Sequence, residues 1–430
     1  MNPVISGIFQ QFPALGHKHY RGFFIAQFIS VTGMWMQQVT IPWLVYDQTG
    51  SKFMLGLVTA LSLLPTLLFT IFAGVFADRR AKKTILILAQ SLFLLNALMF
   101  TALSWLNALT LLPIIFLGMM RGFILAFEIP TRQAFFREMV DLHSLPSAIA
   151  LNSSLVNAAR FVGPAMAGII LAKIGATACF AINAVTFLGI IFVLFWIRPA
   201  RVASSGEGSG LASLAAGLRL AARSVGIRSV LLLVGVCSLF GWTYTTLLPA
   251  IAKNTFGVRE DGYGLLFSIS GLGALVGAVL PVVLARRVPL PKFIVAGWLV
   301  FITAIVCFAL SPTYGIGLAM IFCIGLGLST LHVAGNSLVQ TLVPDEYRGR
   351  IMGLYAFLFI GLAPLGSILV GTVAHWLGST VALIINASVC LIAILLLRSS
   401  VLNCCTPLRP AAEAGISIPV PENRSPAHRR

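Results

Sequence analysis

The 430-residue chain is 58% hydrophobic and only 10% charged, whereas soluble domains carry about 25% charged residues, so a water-soluble globular fold is excluded. The formal net charge of +17 comes from cations spread along the whole chain rather than gathered on one basic face, and no nucleic-acid partner is expected. With the N-terminus placed inside, nearly all Lys and Arg fall on the cytoplasmic side of the apolar runs, and only Lys52, Lys173, Lys253 and Arg259 fall on the other, the positive-inside asymmetry of a multi-pass protein in a lipid bilayer.

Residues 1–19 are a short leading segment without a recognisable cleavage site. Twelve apolar runs follow, at 21–46, 53–77, 83–105, 109–131, 147–172, 176–197, 228–252, 261–285, 291–311, 314–341, 350–374 and 378–397, each near the roughly 20 residues that cross a bilayer. Backbone in lipid has to hydrogen-bond to itself, so each run is expected to be a helix. The one long interruption, 198–227, contains Ser204-Ser205-Gly206-Glu207-Gly208-Ser209-Gly210, a flexible linker. The chain therefore divides into 1–197, a cytoplasmic linker 198–227, a second half 228–397 and a tail 398–430. The tail is rich in Pro, Ala, Arg and Ser and is expected to be disordered.

The halves repeat. A single offset (74 to 277) also places Lys83 on Arg286, Gly122 on Gly325, Gly163 on Gly366, Gly168 on Gly371 and Gly175 on Gly378. The fold class expected is an all-α membrane protein with twelve transmembrane helices in two six-helix repeats. In secondary transporters such repeats hold a ligand near the bilayer midplane between them.

Few residues inside the runs carry chemistry. Arg121 lies midway along the fourth run, where an unpaired cation costs several kcal/mol. Glu128 follows two turns later on nearly the same face. A partly buried carboxylate there suits a proton carrier, and pairing with Arg132 at i+4 is the alternative. Asn157, Arg160 and Pro164 share one face of the fifth run, so Asn157 and Arg160 are candidates to line a cavity. Gln37 and Gln38, beside Trp35, together with Asn336 and Gln340 are uncharged cavity candidates, with interhelical hydrogen bonds as the alternative. His332 is read as a satisfied interior histidine or a titrating group. No Cys/His spacing suits a metal, and no phosphate loop or nucleophile elbow is present, so neither metal, cofactor nor enzyme activity is expected. An ion gradient is then the expected energy source.

Gly74-Val75-Phe76-Ala77-Asp78-Arg79-Arg80-Ala81-Lys82-Lys83 resembles motif A of the major facilitator superfamily, with Ala81 where that family usually has Gly. Arg121 resembles its motif B arginine. Gly163-Pro164-Ala165-Met166-Ala167-Gly168 resembles motif C of its drug/proton antiporter branches. The stretches at 127–135 and 343–353 resemble its enterobactin-exporter-like, transmembrane secretion effector branch. The resemblance covers about residues 20–400. It implies a monomeric inner-membrane protein with both termini cytoplasmic, which exports a siderophore-like or drug-like compound in exchange for protons by alternating access. A broad multidrug exporter, or an importer or lysophospholipid flippase on the same scaffold, remains an alternative. Gly74, Asp78, Arg79, Lys82 and Lys83 are implied to gate the cytoplasmic side. Arg121 is implied to handle substrate or protons, joined by Glu128, Asn157 and Arg160 from the reading above. Gly163, Pro164 and Gly168 form the antiporter-like element. The second half has Pro281 at the Asp78 position.

Overall fold

The computed structural model describes residues 12–78, 80–198, 219–285 and 287–403. The Ser/Gly linker, the expected tail beyond 403, Arg79 and Arg286 lie outside the described residues, as do the surroundings of Gly74 and the side chains of Asp78 and Asp345.

Among the described residues twelve helical rods follow one another: α1 Lys18–Thr49, α2 Lys52–Asp78, α3 Lys82–Trp105, α4 Leu111–Met139, α5 Leu145–Lys173, α6 Ala176–Trp196, α7 Val225–Asn254, α8 Glu260–Leu284, α9 Leu290–Ala309, α10 Tyr314–Leu342, α11 (Asp345–Gly361 then Ala363–Leu377) and α12 Ser379–Leu402. Eleven are long and apolar enough to cross a membrane. The exception is α1, which has the length at 32 residues but is diluted by Gln27, Thr32, Gln37, Gln38 and Thr40. Its end is sharp because Gly50 takes the left-handed conformation (φ 60°) and donates to the Tyr46 carbonyl at 2.8 Å. Several helices run further than the sequence indicated: α4 carries Pro130 inside it and continues to Met139, α11 starts at Asp345 and α12 reaches Leu402.

Two rods are interrupted near mid-length. In α7 the chain makes a π-turn over Cys237–Gly241 before resuming at Tyr244, a feature that recurs at functional sites. In α11 the helix stops at Gly361 and restarts at Ala363, with Pro364 in the new first turn, where its missing N–H costs nothing. The breaks are tied together, since the Ser238 hydroxyl donates to the Phe359 carbonyl at 2.7 Å.

The glycine offset has a geometric cause. Gly163 of α5 lies against α1, where an added Cβ would sit 2.6 Å from the Trp35 Cβ, and its counterpart Gly366 of α11 lies against the Leu239 carbonyl of α7. Gly168 of α5 meets Gly264 of α8, and its counterpart Gly371 of α11 meets Gly56 of α2. The halves therefore join along two equivalent seams, α5–α8 and α2–α11, each needing small residues for backbone approach.

Both seams lie toward the end that carries Asp47. There Lys253 Nζ sits 2.6 Å from Asp47 Oδ1, Asn254 donates to the Tyr46 hydroxyl at 2.5 Å, and Trp43 stacks on Tyr263 at 5.3 Å. Deeper in, the Ser268 hydroxyl donates to the Phe161 carbonyl at 2.7 Å. Ser153, Ser154 and Gln340, toward the other end of α5 and α10, are solvent-accessible. At the α4–α5 turn, Asp141 accepts the Ser144 N–H at 2.7 Å, which holds its carboxyl below the usual carboxylate range.

Candidate functional site

Two cationic groups stand near mid-depth, both in the first half. Arg121 of α4 donates through Nη1 to the Gln38 side-chain oxygen of α1 at 2.7 Å. The pair borders a small cleft between α1, α2 and α4, walled by Ile41, Pro42, Val45, Leu55 and Val58 and edged by Thr59 and Ser62. Both hydroxyls donate to their own helix, to the Leu55 and Val58 carbonyls at 2.8 Å each. Their oxygens remain as acceptors beside an otherwise apolar wall. Gly118 and Gly122 let α4 lie directly on α2 at Ser62, which fixes the depth of Arg121.

Arg160 of α5 is 5% exposed. Its guanidinium carbon lies 4.6 Å from the Trp242 ring centre and 5.7 Å from that of Trp35, so the cation lies over two indole rings. Trp35 belongs to α1 and Trp242 follows the π-turn of α7, so the contact spans both halves. Nε and Nη2 are buried without a hydrogen-bond partner. Trp242 in turn meets Phe359 at the α11 break, edge to face at 5.8 Å.

The remaining candidates separate from these two. Glu128 is 3% exposed and lies 3.0 Å from Arg132 Nε, although the N–H does not point at the oxygen; it makes no contact with Arg121. Gln37 is a candidate either for the cavity or for an interhelical hydrogen bond. It turns into the first-half bundle, donating to Asn96 of α3 at 3.4 Å and accepting from Asn183 of α6 at 2.5 Å. The Asn157 amide, on the same helix face as Arg160, donates to the Ser153 carbonyl of its own helix at 3.0 Å. Gln340 and Asn336 bond to each other at 2.6 Å. His332 stacks on Phe359 at 4.1 Å and shares a 2.9 Å hydrogen bond between Nδ1 and the Tyr355 hydroxyl.

Of the motif A residues, Lys82 pairs with Glu138 at the end of α4 at 3.1 Å. Lys83 donates to the Phe195 and Ile197 carbonyls at 3.1 and 2.7 Å, satisfying the open C-terminus of α6. Asp78 and Arg79 fall outside the described side chains. Pro164 and Gly168 build the α5–α8 seam, where an added Cβ on Gly264 would lie 2.7 Å from the Pro164 carbonyl and 2.5 Å from the Gly168 Cα, while Gly163 faces α1.

Sequence reasoning overlooked Trp242, Tyr244, Tyr355 and Phe359. The available signal was Gly241-Trp242-Thr243-Tyr244, two bulky aromatics beside a Gly in mid-span.

Two helical halves joined along paired glycine seams around buried cations define a transporter of the major facilitator superfamily, a multi-pass membrane protein that moves small organic molecules and is not an enzyme. Within that class the chain belongs to the transmembrane secretion effector family, whose profile matches residues 10–421. It is 26% identical over 361 residues to the staphyloferrin A transporter of Staphylococcus aureus, covering 83% of this chain and 89% of that one. It is 25% identical over 374 residues to the enterobactin exporter EntS of Salmonella choleraesuis, covering 87% and 89%. Among solved structures the fold is similar to a bacterial homologue of the human lysosomal transporter Spinster (TM-score 0.72, 15% identity, 92% and 99% covered). The nucleoside transporter NupG is also similar (TM-score 0.68, 15% identity, 89% and 99% covered).

Proposed function

We propose that the protein exports a siderophore-like or drug-like compound across the bacterial inner membrane, in exchange for protons and by alternating access. The observation that carries this reading is the one-ended closure of the two seams. Gly168–Gly264 and Gly56–Gly371 close the end marked by Asp47 and Lys253, while polar side chains of α5 and α10 stay accessible toward the other end. Two halves that meet at one end around mid-depth cations have the geometry of a rocking carrier. The cation asymmetry of the sequence supports a closed end outside and both termini in the cytoplasm. The motif A loop then closes the cytoplasmic side of a single-chain unit when the site faces outward. Export is favoured by the similarity to the enterobactin exporter EntS and by the antiporter-like Gly163-Pro164 element. Arg121, oriented by Gln38, faces the cavity as substrate contact, and Glu128, freed from Arg132, carries the proton.

Inverted membrane vesicles with an imposed proton gradient test this against a panel of siderophores and cationic dyes. Wild type accumulates at least one compound, and accumulation collapses when the gradient is discharged. Arg121→Ala is expected to abolish uptake, and Glu128→Gln to remove its dependence on the gradient. Gradient-insensitive uptake in wild type refutes proton exchange, and unchanged behaviour of Glu128→Gln removes Glu128 as the carrier.

A further inference from the structure

We propose that Arg160 is the docking point for a carboxylate of the transported compound, received on the buried guanidinium edge that has no acceptor in the protein, beside Trp35 and Trp242. The proposal rests on the transporter reading and narrows its substrate to organic acids. The guanidinium carbon lies over both indole rings, at 4.6 Å from the Trp242 centre and 5.7 Å from that of Trp35, and a ring face offers a cation no hydrogen-bond acceptor oxygen. Nε and Nη2, the two buried nitrogens without acceptors, form one edge of the guanidinium, and that edge matches both oxygens of a carboxylate.

The protein does not supply the missing acceptor from its described carboxylates. Asp47 lies with Lys253, Glu128 with Arg132, Glu138 with Lys82, Asp141 with His17 and Glu260 beside Arg259, and Asp261 accepts the Gly262 N–H at the start of α8. The Tyr244 hydroxyl, which shares a 2.7 Å hydrogen bond with Ser270, is a neutral hydrogen-bonding neighbour of the guanidinium, and Nε and Nη2 still have no acceptor. A desolvated cation without counter-charge destabilises a fold, and replacing such a group with an apolar one of similar volume is often neutral or stabilising. Its presence is accounted for by a charge that arrives with the ligand.

Position supports the same assignment. Above Arg160 the seam is shut, with the Arg160 carbonyl against Gly271 and the next carbonyl accepting from Ser268. One turn and more below it, Ser153 and Ser154 are accessible. Arg160 thus stands where the closed seam ends. Because Trp35 and Trp242 come from opposite halves, rocking separates one indole from the guanidinium and opens the edge to an incoming anion. Trp242 sits immediately after the π-turn, where the helix is already out of register.

The test uses the purified full chain in detergent, with thermal unfolding and tryptophan emission as readouts. The probes are citrate and 2-naphthoate, each against its methyl ester, so that an aliphatic and an aromatic carboxylate are compared with neutral counterparts. In wild type at least one carboxylate raises Tm and alters the emission, while the esters do neither. Arg160→Met keeps a ligand-free Tm equal to or above wild type and loses the carboxylate response. Arg160→Lys retains charge but not the paired donors and binds at least about 10-fold more weakly. Trp242→Phe folds with the cation intact and weakens binding.

A carboxylate response retained in Arg160→Met overturns the proposal. So does no response of wild type to either acid, or a drop in the ligand-free Tm of Arg160→Met with binding unchanged. The two readings fail separately. Gradient-driven uptake equal in wild type and Arg160→Met leaves the carrier standing and removes the site. Arg160-dependent carboxylate binding without gradient-driven flux keeps the site and removes proton-coupled export.

Discussion

Gly264→Ala offers a direct probe of the seam. The added Cβ would lie 2.5 Å from the Gly168 Cα, 2.7 Å from the Pro164 carbonyl oxygen and 2.8 Å from the Gly168 nitrogen. All three obstacles are backbone, so no rotamer change relieves them. Ordinary carbon contacts fall at about 3.5–4.0 Å, and the α5–α8 seam has to open by about 1 Å to admit the methyl group. Overpacking of this kind costs about 1–3 kcal/mol, and the penalty falls only on the state in which the seam is shut. That corresponds to about a 5–150-fold shift away from the arrangement closed at the Asp47 end. Spin labels at Ser51 and Thr255, on opposite halves at that end, report the shift once the seven native cysteines are replaced. Wild type is expected to give one short distance, and Gly264→Ala a longer population in addition. Gly189→Ala is the control, because nothing lies within 4 Å of a Cβ there. If Gly264→Ala kept the wild-type distance, or the control moved as much, the reasoning would be refuted.

The Asp47–Lys253 bridge joins the same two halves, but both side chains are about half exposed. Lys253→Gln should shift the same distance distribution by no more than about 1 kcal/mol, and the difference should vanish in 1 M salt, where the Debye length is about 3 Å; a larger, salt-independent effect would contradict this account. Gln37→Ala leaves Asn96 and Asn183 without their shared partner, so Tm should fall as expected for loss of interhelical bonds of about 0.6–2 kcal/mol. Transport selectivity should stay the same, and altered selectivity would assign Gln37 to the cavity. Asp141 has a carboxyl held low by the Ser144 amide, so its stabilising contribution is full above its unfolded pKa of about 3.9 and is lost as pH falls through its lower folded value. A Tm gap between wild type and Asp141→Asn is accordingly expected at pH 6 and should close as pH approaches 3; a gap that widens on acidification would reverse the sign of this argument.

The spans and the repeat were legible from the chain alone, because both are written in local composition. Apolar runs of bilayer length leave the backbone no alternative to helix, and glycines at one offset marked the places where equivalent helices touch. Gly168 and Gly371 were paired by counting, and each proved to lie on a seam between the halves. The Arg160 site was half legible: a cation in mid-span called for an explanation, and Trp35 stood out beside Gln37 and Gln38.

Tertiary structure decided which neighbour each polar group meets. Gln37 and Gln38 are consecutive, yet one helical step of about 100° sends Gln37 into the bundle with Asn96 and Asn183 and Gln38 to Arg121. Asn157 and Arg160 share a face, but the short amide closes on its own helix while the long guanidinium reaches Trp35 and Trp242. The paired breaks at the α7 π-turn and at Gly361 were hidden for a related reason, since Ser238 and Phe359 are joined only when their helices pack. Sequence periodicity specifies which way a side chain leaves its own helix. What it finds there depends on the register of helices from 59 to 146 residues away, which packing alone sets.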